Sequence, residues 1–418
     1  MSCEVTTPKA PKAPKAPQAA KPAVEPLFSP QLIRLLMAVL GSGLSMYLLT
    51  SVVPLYLATN GSGGIGAGLS TGAMMLSAVA VELAVPRMLA RFGYRDTLAL
   101  GLILLGLPAL LLPLSTSLPL VLAVCLLRGA GLAILVVGAV ALIAEVAPAH
   151  RRGEALGMYG VVVGVPAVAG LPLGVYLVDH IGFTGVFILG ALTSLAGLTM
   201  IPGLPTTPTH TQLKQHTNVL KGLKNSGLLM PAGVFAAVTV AAGIGVTFIP
   251  LAVAEGKHSV IVTALLIQAA AAPLARWLAG RYGDRHGARR LLLPSVLLAT
   301  LGAGSLVFVQ HTTIVFIGML LFGLGFGAAQ NVTISIMYER VEPNRYGQVS
   351  ALWNLAYDAG WGVGAIAFGA VVAGTGYPTA FALTTGVLLI ALVRVCVDGP
   401  ISPRGPRLSA APELPESA

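Results

Sequence analysis

Long apolar runs separated by short polar breaks fill almost the whole chain, and this pattern most restricts how it can fold. A helix of roughly 20 apolar residues spans the hydrocarbon core of a bilayer. Gly and Pro recur within the runs, as is common in transmembrane helices. We therefore predict an all-α membrane protein with twelve transmembrane helices. The predicted spans are 32–59, 66–89, 96–115, 118–146, 154–178, 182–202, 229–254, 259–280, 291–309, 312–338, 347–374 and 377–397.

Composition excludes a soluble globular fold. Hydrophobic residues make up 56% of the 418 residues, and charged residues make up only 10%, against about 25% in a typical soluble domain. A soluble fold must cover itself with polar side chains, and this chain has too few of them.

The basic residues indicate topology. Lys and Arg total 25 and Asp and Glu total 15, which gives a formal net charge of +10. A positive excess can point to nucleic acid, but here it lies in alternate breaks, whereas the other set of breaks holds Lys257 alone. This is the positive-inside pattern. We therefore expect a multi-pass protein of the inner (cytoplasmic) membrane with both termini cytoplasmic, bound by the lipid bilayer and by no nucleic acid.

The polar segments divide the chain into five parts. Residues 1–30 contain a Pro-Lys-Ala repeat and are predicted to be a disordered cytoplasmic tail, because regular Pro forbids helix. Residues 31–203 form a first six-helix bundle, 204–228 a cytoplasmic linker, 229–398 a second six-helix bundle and 399–418 a second disordered cytoplasmic tail.

The two bundles carry an internal repeat at an offset of 194 residues. The segment 126–131 (LLRGAG) matches 320–325 (LLFGLG), and Gly182 matches Gly376. Arg91, Gly93 and Arg95 match Arg285, Gly287 and Arg289. A six-helix unit duplicated in parallel orientation is typical of secondary transporters, in which the binding cavity lies between two pseudo-symmetric halves.

Residues 280–290 read GRYGDRHGARR and resemble the loop between helices eight and nine of the major facilitator superfamily, Gly-x-x-x-Asp-Arg-x-Gly-x-Arg-Arg. In the equivalent loop of the first half, Pro86 and Ala90 replace the Gly and the Asp. The resemblance implies that family's fold and alternating-access transport. It also implies a conformational latch on the cytoplasmic face, against the alternative that these arginines only set topology. The latch residues are Gly280, Asp284, Arg285, Gly287, Arg289, Arg91, Gly93 and Arg95.

Few ionisable residues lie within the spans, and such residues are by default functional candidates. Arg128 in helix four and Asp358 in helix eleven lie near mid-membrane, and Glu82 lies in the inner half of helix two. Arg276 is expected to reach the interface by snorkelling. The repeat pairs Asp358 with Gly164 and Glu82 with Arg276, so the two halves differ at these depths.

Each candidate has alternative roles. Asp358 is a proton carrier or forms a helix–helix hydrogen bond. Arg128 takes part in proton coupling, as the family resemblance implies, or is a structural cation. Glu82 is a latch, a proton site or a simple pairing partner. Four further residues are predicted to line the cavity or to pack between helices: Asn354, Trp361, Gln330 and Asn331.

The residues favour proton-coupled efflux of a small amphipathic molecule or metabolite, with proton-coupled uptake by symport as the alternative and a non-transporting receptor as a remote one. All seven His lie in breaks or at span ends, so we expect no metal site, no cofactor beyond the proton gradient and no enzyme activity. We expect a monomer.

Overall fold

The computed structural model describes residues 29–148, 151–206, 226–253, 257–342 and 345–397. The described chain is helical. Its helices are α1 Pro30–Leu57, α2 Gly63–Glu82, α3 Val85–Gly106, α4 Leu118–Val146, α5 and α6 as the two arms (152–181 and 183–196) of Arg152–Ala196, α7 Ser226–Ala252, α8 His258–His286, α9 Leu292–Ser305, α10 Thr312–Tyr338, α11 Tyr346–Thr375 and α12 Tyr377–Val397.

Ten continuous helical segments in the described chain are long and apolar enough to span a membrane. Two of them, Pro30–Glu82 and Glu154–Gly203, have 53 and 50 residues, far more than one crossing needs. The first turns at Gly61 and Gly63, and the second at Gly182, all with positive φ. Divided at these turns, the segments are consistent with the twelve predicted spans.

The sequence repeat is also a repeat of backbone geometry. Gly93 and Gly287, 194 positions apart, have φ of 77° and 88°, and Gly182 and Gly376 have φ of 69° and 78°. Side chains rarely adopt this left-handed region, so glycine is kept at both copies of each turn. The two halves therefore bend at equivalent places.

The bundle has two distinct ends. We call the end that carries Arg91, Arg95, Arg285 and Arg289 the basic end, and the other the opposite end. Pairs of helices from different halves meet along the centre, α2 with α11 and α5 with α8. A Cβ added at Gly68 of α2 would lie 2.3 Å from the Ala365 carbonyl oxygen of α11. The first pair therefore packs backbone against backbone in the part nearer the opposite end.

One predicted boundary is wrong by more than a turn. The span predicted at 66–89 agrees with the backbone, because Leu83 and Ala84 keep right-handed helical φ and ψ and the chain bends only at Gly93, inside Val85–Gly106. By contrast, α8 continues to His286, so Gly280, Asp284 and Arg285 lie in a helix, which is capped by Gly287. Both tails and most of the linker (207–225) lie outside the described residues.

Candidate functional site

Two carboxyl groups meet between the halves. Glu82, the last residue of α2, and Asp358, twelve residues into α11, lie within hydrogen-bonding distance of each other. Both side chains are half-buried. Because an ionised carboxylate can only accept hydrogen bonds, the two groups form a direct hydrogen bond only when one of them carries a proton. The structure thus brings together two residues that the sequence identified separately.

Three tyrosines lie on the Asp358 side of this carboxyl pair, each near at least one other. Tyr357, next to Asp358 on α11, and Tyr47 on α1 are close enough to interact electrostatically with Asp358 and with each other. Tyr159 on α5 interacts in turn with Tyr47. The three residues come from both halves, and we call them the tyrosine cluster. Such rings present an apolar face together with a polar hydroxyl.

Arg276 of α8 lies on the other side of this centre. Its Nη1 donates to Oε1 of Gln330 on α10, at 3.1 Å, and its guanidinium is near Tyr47 and Tyr357. The Arg276 side chain is also exposed, so snorkelling to the interface stays a prediction. Gln330 fits its alternative role, an interhelical hydrogen bond.

The remaining three cavity candidates differ in placement. Asn354, one turn before Asp358, is half-buried on α11. Trp361 is only 5% exposed, and a Cβ added at Gly243 of α7 would lie 2.7 Å from its Cδ1. Asn331 packs against α8, with its Nδ2 3.0 Å from a Cβ added at Gly280. Both Trp361 and Asn331 thus pack between helices.

Arg128 is separate from this centre. It is 2% exposed, and its guanidinium donates to the Leu105 carbonyl of α3 and, at 3.1 Å, to the Ser45 carbonyl of α1. These contacts tie three helices of the first half together. A small cavity that Arg128 lines also includes Thr50, Ser70, Thr71 and Cys125.

The predicted latch residues make several contacts within their own halves. Arg95 donates to the Pro202 and Leu204 carbonyls at 2.8 and 2.9 Å. Arg289 Nε lies 3.4 Å from Glu339 Oε2. Arg91, Asp284 and Arg285 are exposed. A latch between the halves stays a prediction.

The halves are joined near the opposite end. Ser51 of α1 donates to the Val246 carbonyl of α7 at 3.1 Å, and the Thr71 and Thr247 hydroxyls lie 3.0 Å apart. Towards the basic end α5 leaves room beside it, since Cβ atoms added at Gly157, Gly160 and Gly164 would meet nothing within 4 Å. The two hydroxyl contacts between the halves thus lie near the opposite end, and open space adjoins α5 nearer the basic end.

Sequence reasoning missed the three tyrosines because it searched the spans for charge. The available signal was a polar hydroxyl inside a span in each of Tyr47, Tyr159 and Tyr357. Their clustering depends on the packing of α1, α5 and α11, which no single segment reveals.

Known proteins resemble this chain in both sequence and fold. An uncharacterized MFS-type transporter of Mycobacterium tuberculosis is 31% identical over 150 residues, 34% of this chain and 26% of that protein. A multidrug resistance protein B homolog of the same species is 30% identical over 184 residues, 42% of this chain and 33% of that protein. These alignments thus span about a quarter to a third of the relatives' length.

Solved structures share the fold. The nucleoside transporter NupG matches with a TM-score of 0.69 at 14% identity, over 88% of this chain and 99% of NupG. The xylose transporter XylE from E. coli matches with a TM-score of 0.69 at 15% identity, over 88% of this chain and 98% of XylE. The Major Facilitator Superfamily profile matches residues 35–365 and 232–416. Because this profile covers most of the chain, the chain belongs to the major facilitator superfamily of membrane transporters.

Proposed function

We propose that this transporter is a proton-coupled exporter of small amphipathic molecules that works by alternating access. The observation that carries the proposal is the contact between Glu82 and Asp358. It joins α2 of the first half to α11 of the second, so its state bears directly on how the halves sit together.

The contact couples protonation to conformation by simple electrostatics. With one shared proton, the two carboxyl groups form a hydrogen bond between the halves. Without it, two like charges face each other between the halves and repel. Loss of the proton therefore favours separation of α2 and α11 at this depth, and uptake of a proton favours their contact. A proton can thus drive the change of access.

The direction of transport is the second part of the proposal. The positive-inside rule places the basic end in the cytoplasm, so the open space beside α5 makes this conformation inward-facing, ready to load from the cell. A relative in Mycobacterium tuberculosis has the name of a multidrug resistance protein homolog, which favours export over uptake. The tyrosine cluster of Tyr47, Tyr159 and Tyr357 suits an amphipathic cargo, because each ring has an apolar face and a polar hydroxyl.

The test uses purified full-length protein in liposomes and a substrate found by thermal stabilisation. An antiporter accumulates labelled substrate in vesicles with an acidic lumen, whereas a symporter does so with an acidic exterior. We expect accumulation in vesicles with an acidic lumen. Asp358→Asn and Glu82→Gln should abolish this accumulation and keep counterflow, which needs no net proton movement.

The control is Glu154→Gln, the same chemical change at an exposed surface pair, which should transport like the wild type. Normal accumulation driven by the pH gradient in Asp358→Asn would refute the proposed coupling. Accumulation only with an acidic exterior would replace the exporter with a symporter.

A further inference from the structure

The repeat gives α2 and α8 equivalent positions, which carry opposite charges at the centre. Glu82 and Arg276 are separated by the repeat offset of 194 residues. The two helices also pack alike: a Cβ at Gly129 would meet the Met74 carbonyl of α2, and a Cβ at Gly323 would meet the Gln268 carbonyl of α8. Gly129 and Gly323 are 194 positions apart, and so are Met74 and Gln268. Arg276 therefore occupies in the second half the place of Glu82 in the first.

The partner of Glu82 has no counterpart in the other half. Asp358 of α11 corresponds to Gly164 of α5, and Asn354 corresponds to Gly160. A Cβ added at either glycine would meet nothing within 4 Å. Where the repeat would place a carboxylate opposite Arg276, the structure therefore has open space.

Arg276 itself has unused hydrogen-bonding capacity. An arginine carries five N–H donors, and the hydrogen bond recorded for Arg276 goes to a neutral amide, that of Gln330. Within the described ranges, no carboxylate lies within ion-pair distance of its guanidinium. Its side chain is exposed. A cation without a counter-charge inside a membrane span is costly and points to function.

We propose that Arg276 binds the anionic group of the transported substrate, in the open space between α8 and the Gly160–Gly164 face of α5. The substrate class is then an amphipathic organic acid, whose carboxylate takes the place that Asp358 takes opposite Glu82. A planar guanidinium suits a carboxylate because it can donate two parallel hydrogen bonds. The substrate's apolar part lies against the tyrosine cluster, within reach of Tyr159 on α5. This inference rests on the proposed transport function and narrows its substrate class.

The first test measures equilibrium binding of three fluorescent probes to the purified full-length protein, with no proton gradient. The three probes share the dansyl aromatic group and differ in charge: dansylglycine is anionic, its amide is neutral and dansylcadaverine is cationic. We expect dansylglycine to bind most tightly. Arg276→Gln should weaken the affinity for dansylglycine about tenfold or more, because a charge-assisted hydrogen bond is lost. The affinity for the amide should stay unchanged. Arg276→Lys should restore part of the affinity.

The second test needs no ligand. Gly164→Asp supplies the missing carboxylate, which should pair with Arg276, raise the melting temperature and displace dansylglycine. Gly164→Asn fills the same space without the charge and is the matched control. The stabilisation by Gly164→Asp should vanish in the double variant that also carries Arg276→Gln.

Either of two results overturns the proposal: equal dansylglycine affinity in the wild type and Arg276→Gln, or a stabilisation by Gly164→Asp that does not depend on Arg276. The outcome is separate from that of proton coupling. Normal pH-driven transport by Asp358→Asn would refute the coupling and leave these binding results intact.

Discussion

Asp179 Oδ1 lies 3.1 Å from His258 Nδ1, a contact that is an ion pair when His258 is protonated. It links the last turn of α5 in the first half to the first residue of α8 in the second. The two side chains are 36% and 48% exposed. The pair lies at the opposite end, where the hydroxyl contacts of Ser51 and Thr71 also join the halves. This end must open if the transporter is to face the other side of the membrane.

We expect Asp179→Asn to shift the protein towards the state that is open at this end. An exposed ion pair contributes at most about 1 kcal/mol, so the ratio of the two states should change by no more than roughly fivefold. Spin labels at Thr184 and Ser259, in a variant in which Cys3 and Cys396 are replaced by Ser, report the separation of the halves by electron–electron double resonance.

Glu154→Gln breaks an ion pair within one helix, Arg151–Glu154, and serves as the control. Its distance distribution should match the wild type. An unchanged distribution in Asp179→Asn would mean that this ion pair does not hold the end closed.

The glycine contact between α2 and α11 gives a second prediction. A Cβ at Gly68 would lie 2.3 Å from the Ala365 carbonyl oxygen, a backbone atom that cannot turn aside. Gly68→Ala should therefore separate the two helices and cost about 1–3 kcal/mol, as overpacking does. Thermal unfolding in detergent measures the loss.

Gly233→Ala in α7 is the matched control, because a Cβ there meets nothing within 4 Å. Alanine favours a helix over glycine by about 0.5–1 kcal/mol, so this variant should be as stable as the wild type or more stable. Equal melting temperatures for the two variants would contradict the close packing.

A third prediction concerns the positive φ of Gly287, 88°, at the end of α8. Gly287→Ala forces a Cβ into the left-handed region, which costs roughly 1–2 kcal/mol. Gly347→Ala lies in a helix with open space beside it and should not destabilise. Thermal unfolding compares the two, and similar melting temperatures would show that the turn tolerates a side chain.

The sequence was sufficient to predict the helical spans, because bilayer thickness sets their length and the breaks are polar. Their ends were less predictable. Arg281 and Arg285 suggested a loop, yet α8 continues through both to His286. Charge indicates the side of the membrane, but charged residues near a bilayer surface do not end a helix.

The site was predicted only one residue at a time. Glu82 and Asp358 both stood out as charges at depth, but 276 positions separate them in the chain, and their contact depends on how α2 crosses α11. The same holds for Asp179 and His258, which looked like ordinary loop residues. Contacts between the halves follow from the arrangement of two bundles, which local patterns do not record.

Arg128 supplies the last prediction, because its two proposed roles give different results. Its guanidinium satisfies carbonyls of Leu105 and Ser45 while fully buried. Arg128→Met removes both donors and leaves the carbonyls without these partners, a loss of about 1–3 kcal/mol for each. Arg128→Lys keeps the charge but lacks the planar guanidinium, which can donate to two carbonyls at once. Both variants should lower the melting temperature, Met more than Lys, whereas exposed Arg91→Lys should not.

Transport then separates the roles. A structural cation predicts that Arg128→Lys lowers pH-driven accumulation and counterflow by the same factor, since only the amount of folded protein changes. A role in proton coupling predicts that pH-driven accumulation falls while counterflow per folded molecule is kept. Because the recorded contacts of Arg128 go to backbone carbonyls within the first half, we expect the first pattern, and a selective loss of pH-driven accumulation would assign Arg128 to coupling instead.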